Sequence, residues 1–272
     1  MLAGASSIAL GLAFFVFLGI GLSIYLAVIW QISVRRLVAI PPAPEGLKTF
    51  GWPEAFLGAA LVLFLVLNIV SSFGRSSIHL SGRDLTANFL FTAFIVFFVA
   101  AFLKLRGIDI DSLGGFSKTS LKRAVSTGVI LLLAATPLIL LAEAITQNLF
   151  GGGSSRQEIV DLFNSSQTIR QRAMIIVLAV IVAPISEEFI FRFFIYGVLR
   201  RYFGIAVGLA FNALLFAAAH NHLPSTLPLF VLGASFTLAY EWSGSILVSM
   251  TMHALFNSVQ LVFLAFPDLF QQ

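Results

Sequence analysis

The sequence contains no cysteine. That removes disulfides, thiolate metal sites and cysteine nucleophiles together, and it leaves redox compartment unreadable. Charge is nearly as scarce, at 10% of 272 residues, where a soluble domain carries about a quarter. Tryptophan is limited to Trp30, Trp52 and Trp242, few for the interfacial positions that this residue favours. No basic run interrupts the chain and the net charge is only +4, so no nucleic-acid partner is expected. Also missing are GxxxxGK[ST], a Gly-rich dinucleotide turn, His-Glu-x-x-His and a Ser-His-Asp order; Gly151-Gly152-Gly153 lies in a loop with no strand before it. What is present is apolar: 59% hydrophobic residues, 29 of them Phe, with a mean hydropathy of +1.00. The expected class is all-α, a polytopic transmembrane helix bundle surrounded by membrane lipids.

Apolar windows separated by charged or Gly/Pro-rich breaks place eight spans near 8–32, 55–73, 85–104, 124–147, 173–199, 205–221, 225–241 and 244–266. The first lacks a basic lead-in and is too long for a signal-peptide core, so it reads as a span. Residues 1–150 form an N-terminal helical region without a recognised motif. Within 151–172, Ser155 to Arg172 sets Ile159, Val160, Leu162 and Phe163 among Arg156, Gln157, Glu158 and Asp161, the pattern of an interfacial amphipathic helix or a membrane-surface linker. Residues 173–272 hold the candidate site. Lys and Arg number ten in the loops after spans one, three and five and five in the alternate loops, which favours the first set as cytoplasmic and both termini outside a cell membrane.

The run Ala183-Pro184-Ile185-Ser186-Glu187-Glu188-Phe189-Ile190-Phe191-Arg192 is the costly one, because an ionised group near the middle of a span costs about 2.5–3.5 kcal/mol. Glu188 and Arg192 are spaced i,i+4 and can pair on one helix face. Glu187 points about 100° away from Glu188 and is left over. An unpaired carboxylate in a low-dielectric site is suited to accept a proton. Pro184 removes an amide and is expected to free the carbonyl of Val180, opening polar backbone beside the acids. A structural Glu–Arg clamp would account for Glu188 and Arg192 but not for Glu187.

Later spans carry further polar groups. Phe216-Ala217-Ala218-Ala219-His220 ends the sixth span, and His253 and Asn257 share a face of the eighth. Counted at about 1.5 Å per residue from the Arg200/Arg201 side, Glu187, His220, His253 and Asn257 all fall roughly 14–24 Å deep. Taken singly, each His or Asn could simply tie helices together; their common depth with Glu187 favours a site. His79, His222, Glu143 and Tyr240-Glu241 read as surface or interfacial groups. A base, hydrogen-bond donors and room for water are what hydrolysis by an activated water needs.

These residues resemble the motifs of the CAAX protease and bacteriocin-processing (CPBP) family of intramembrane proteases, which includes the type II CAAX prenyl endopeptidases. Glu-Glu-x-x-x-Arg matches Glu187, Glu188 and Arg192; Phe-x-x-x-His matches Phe216 and His220; His-x-x-x-Asn matches His253 and Asn257. The likeness covers about residues 173–266. It implies an endopeptidase in which Glu187 activates water, His220 helps to hold or deprotonate it, His253 and Asn257 donate to the oxyanion, and Glu188 with Arg192 braces the helix. The implied substrate is a membrane-associated peptide or protein, CAAX-type prenylated proteins among the candidates. Family members often carry Gly after the motif Arg, whereas Phe193 and Phe194 stand here, a bulk that either narrows the approach to the site or changes helix packing. A metal-free base is the favoured chemistry; if zinc were used, Glu187, His220 and His253 would be its ligands, although Asn is an unusual neighbour for it. A non-catalytic scaffold, binding or bacteriocin-immunity protein also accommodates the cluster. So does a proton-coupled transporter, for which no inverted repeat is visible.

Overall fold

A computed structural model describes residues 2–38, 48–72, 82–150 and 168–266, and among these the chain is helical without a strand. Four long helices come first: α1 (Leu2–Val38), α2 (Trp52–Ser72), α3 (Gly82–Leu105) and, after the short α4 (Ile110–Gly114), α5 (Leu121–Phe150). Then follow α6 (Ile169–Val177), the π-helical turn π1 (Leu178–Val182), α7 (Ala183–Glu187), the longer π-helix π2 (Glu188–Ile195), α8 (Tyr196–Ala219), α9 (Thr226–Ser243) and α10 (Ile246–Ala265). The protein is an integral, multi-pass membrane protein. The expected amphipathic segment falls almost wholly on 151–167, outside the described residues; Thr168 and Gln171 form the capping box that starts α6. His79 also lies outside them.

Among the described residues seven stretches are long and apolar enough to cross a bilayer, one of them Ile169–Ala219 with 51 residues. At about 1.5 Å per residue, such a helix would be more than twice the bilayer's hydrocarbon thickness. It is broken at Gly204, where φ 79° and ψ 176° are open only to glycine. Past that break the chain turns back: a Cβ on Gly208 would sit 3.0 Å from the backbone N of Arg200. The fifth and sixth spans are therefore separate, which makes eight crossings among the described residues.

Polar contacts at the span ends agree with that alternation. Arg35 Nη1 donates to the Trp242 carbonyl at 2.8 Å, Lys48 Nζ to the Arg106 carbonyl at 3.2 Å, and Arg200 pairs with Glu241 at 2.9 Å. The ends of spans one, three, five and seven thus share one side. Tyr240 and Glu241 belong to this rim, the Tyr240 hydroxyl donating to the Leu113 carbonyl at 3.0 Å and that of Tyr196 to Glu241 at 2.8 Å. The buried Glu54 caps α2 by accepting from the Gly51 amide at 2.7 Å and pairs with Arg106 at 3.0 Å.

The core lies among π2, α8, α9 and α10, with α5 against them. Phe193 and Phe194 are fully buried and meet Phe50 edge-on, with centroids 5.8 and 5.9 Å away; Phe193 also stacks on Phe189 at 5.1 Å. Their bulk is a packing feature, a knob that fixes the chain entering α2.

Candidate active site

The site begins with the backbone. A π turn spaces its hydrogen bonds one residue wider than an α turn. In π1 the amide of Ala183 bonds back to the Leu178 carbonyl. The Ala179 carbonyl would next receive the amide of residue 184, but that residue is Pro and has none. Asn257 of α10 supplies the missing donor: its Nδ2 lies 2.8 Å from the Ala179 oxygen. The carbonyl that takes an outside donor is therefore Ala179, one residue before the Val180 expected from α-helical spacing, because the helix has widened there. Ser186 bends its hydroxyl back to the carbonyls of Val182 at 2.8 Å and Ala183 at 3.2 Å.

Glu188 and Arg192 form the expected i,i+4 pair at 3.0 Å, both side chains fully buried. The guanidinium carbon lies 4.1 Å from the ring centroid of Phe216 and 5.1 Å from that of Phe236, so two aromatic faces take the place of water around the cation. Arg192 Nη2 also reaches the Gly233 carbonyl at 3.4 Å. A Cβ at Gly233 would press on Phe216 at 3.0 Å, which is why α9 can approach α8 so closely there.

Glu188 does more than brace. Its Oε1 also accepts from His253 Nδ1 at 3.0 Å, and the His253 ring stacks on Phe236 at 5.1 Å. A carboxylate on Nδ1 fixes both the orientation of the imidazole and the site of its proton, leaving Nε2 as the other ring nitrogen. Nε2 points at Glu187 Oε2, 3.9 Å away. That oxygen is buried and has no hydrogen-bond partner, while the Glu187 side chain as a whole keeps 28% of its surface. At 3.9 Å the two atoms are too far apart for a direct hydrogen bond.

His220 lies beside the same aromatic ring. Its centroid is 4.7 Å from Phe216, which is 5.9 Å from His253 on another edge. His220 Nδ1 donates to the Phe216 carbonyl at 2.7 Å, so the neutral ring presents a bare Nε2. Phe216 thus joins the site three times, through its ring to Arg192 and to both imidazoles. His222 stands apart, its Nδ1 2.8 Å from the Ser225 hydroxyl, and Glu143 accepts from Gln147 at 3.1 Å on the exposed face of α5.

Sequence reasoning placed Glu187, Glu188, Arg192, His253 and Asn257 on facing helices, and the structure brings them together with His220 alongside. It missed Phe236, Gly233 and the Glu188–His253 bond. Phe236 and Gly233 carry no charge and no motif spacing, and the acid and the imidazole are 65 residues apart. Among the described residues no three His, Cys, Asp or Glu are grouped as metal ligands; His253 Nδ1 is held by Glu188, which also pairs with Arg192.

All the site residues fall within residues 169–259, which match the family model described as type II CAAX prenyl endopeptidase Rce1-like. The match is confined to this segment. The chain is also similar to the membrane-embedded CAAX protease MroQ of Staphylococcus aureus (strain USA300), 32% identical over 89 residues, which cover 30% of this chain and 36% of that protein. The chain thus spans about a third of the length of the curated relative it matches. No solved structure matches it. The N-terminal helices α1 to α5 lie outside the Rce1-like segment, and α5 packs on its last two helices.

Proposed function

We propose that the protein is an intramembrane endopeptidase that hydrolyses a peptide bond in a membrane-associated protein or peptide, with Glu187 as the base. The observation that carries this reading is the buried, unpartnered oxygen of Glu187 facing His253 Nε2, beside a second acid whose charge Arg192 already balances. Glu187 takes a proton from water as the oxygen attacks the scissile carbonyl, and returns it to the amide nitrogen as the tetrahedral intermediate collapses and the C–N bond breaks. The bare Nε2 of His220 holds or takes up the water's other proton. His253, with Nδ1 on Glu188, presents Nε2 to the oxyanion when the ring carries both protons, and Asn257 has a second amide hydrogen beyond the one on Ala179. The groups act without a metal. The substrate class we favour is the CAAX-type prenylated protein, on the strength of the Rce1-like match and of the name of the staphylococcal relative. The basic loops after spans one, three and five put that end of the bundle in the cytoplasm, with both termini outside a plasma membrane.

Fragment identification by mass spectrometry tests the reading. Purified protein and its Glu187→Gln variant are incubated with membrane-anchored peptides, with and without chelator. Chelator-resistant products from wild type alone are expected. Products from Glu187→Gln at the wild-type rate would remove the base assignment. Uncut peptide that stays bound to wild type would favour a scaffold.

A further inference from the structure

We infer that Asn257 is a positioning residue for Glu187, acting on the backbone of the helix that carries the base through the carbonyl that Pro184 leaves without a donor. The inference rests on the peptidase reading for its functional consequence, and its structural half stands independently.

The chemistry is local. With the Ala183 amide bonded to Leu178 and no amide at residue 184, the Ala179 carbonyl has neither an α nor a π partner within its own helix. Ala179 is buried at 7% exposure. In such surroundings an unsatisfied carbonyl is one of the most unfavourable groups a span can hold. The Asn257 amide at 2.8 Å removes that penalty and ties α10 to π1. One helical turn earlier on α10, His253 binds Glu188. The same face of α10 therefore grips the acid-bearing helix at two points, at the Ala179 carbonyl upstream of Pro184 and at the Glu188 carboxylate just after Glu187. Between these grips lies α7, the five-residue piece that ends in Glu187. Held at both ends, it keeps the Glu187 carboxylate turned toward Nε2 of His253 and away from hydrocarbon. Any help that Asn257 gives an oxyanion comes from its other amide hydrogen.

This assignment makes the roles of Pro184 and Asn257 interdependent, which a donor acting only on substrate would not require. The test is a double-mutant cycle on the full chain in detergent, reading melting midpoint together with kcat and KM for a cleaved peptide. Asn257→Leu is expected to lower the midpoint by about 3 °C or more and to reduce kcat at least about tenfold with KM little changed. Pro184→Ala restores an amide that can reach Ala179. Placed on Asn257→Leu, it is expected to recover most of the midpoint and part of kcat. Should Asn257→Leu not fold, Asn257→Ser, too short to reach Ala179, runs the same cycle. If kcat falls while the midpoint holds, and Pro184→Ala recovers neither, Asn257 acts on the substrate and the positioning role is overturned. If the midpoints couple as expected but no variant and no wild type cuts any peptide, the carbonyl–amide tie stands and the peptidase reading falls instead.

Discussion

The third span and the seventh are built on opposite terms. In the most apolar part of Thr86–Leu105 only 11% of residues are buried by the rest of the protein, against 56% in that of Leu223–Ser243. The third turns Phe94, Phe97 and Phe98 outward to lipid, while the seventh packs Leu232, Phe236 and Ala239 inward along with Ser235 and Thr237. The more apolar helix is the more exposed one. In a bilayer the lipid tails reward hydrocarbon on the outside, so polarity belongs to helices enclosed by other helices, where donors and acceptors find partners. The C-terminal helices can hold two acids, a guanidinium and two imidazoles because the N-terminal ones, α5 above all, shield part of them.

The largest effect that sharpens this contrast is chemical. Glu187→Gln is expected to reduce kcat/KM by about 10²–10⁴-fold or more, while the melting midpoint stays close to wild type, because the buried oxygen of Glu187 makes no hydrogen bond that the change would break. Parallel kinetics and thermal melts check it. A midpoint drop as large as that of a core variant would place Glu187 in the scaffold.

Next come the enclosed charges. Glu188→Gln or Arg192→Met alone is expected to cost about 3–5 kcal/mol, since each strands a buried charge. Glu188→Gln should also release His253 Nδ1 and so lower turnover, which Arg192→Met does only through Glu188. Combining the two is expected to regain part of the stability, read by denaturant titration in detergent. Additive losses would break the clamp.

Packing separates the two spans directly. Phe236→Ala, at 0% exposure, removes a ring that touches both Arg192 and His253, with an expected loss of about 3–5 kcal/mol. Phe97→Ala, at 72% exposure, is expected to stay within about 0.5 kcal/mol. Equal losses would mean that the third span is covered by something other than lipid.

The smallest effect lies outside the membrane. Asp109 caps α4, accepting from the Ser112 hydroxyl at 2.7 Å and from the amides of Asp111 and Ser112. The Ser112 hydroxyl, ahead of the backbone amides, holds its carboxyl below the usual carboxylate range. A depressed folded pKa means that the cap contributes fully above the unfolded pKa and fades as pH falls through the folded one. Asp109→Ala should speed amide exchange at Asp111 and Ser112 at neutral pH, and the difference from wild type should shrink in acid.

Much of this was legible in the chain itself. Eight crossings follow from apolar run lengths, even though one run of 51 residues needed Gly204 to divide it. The Glu188–Arg192 pair and the solitary acid follow from helical angles that survive the shift from α to π. The π turns were not legible, and with them the identity of the orphaned carbonyl, because hydrogen-bond register depends on whether a neighbouring helix offers a donor. Nor could periodicity show that Phe193 and Phe194 meet Phe50 across the bundle.

Local composition and spacing were enough to determine a lipid-embedded helical chain with an unmatched carboxylate, because bilayer thickness and helical pitch act on each segment alone. Tertiary structure decided which imidazole Glu188 holds, that two Phe rings enclose Arg192, and that Asn257 mends the helix Pro184 interrupts. Those contacts join residues far apart in sequence, and only the packing of one helix on another sets which of them meet.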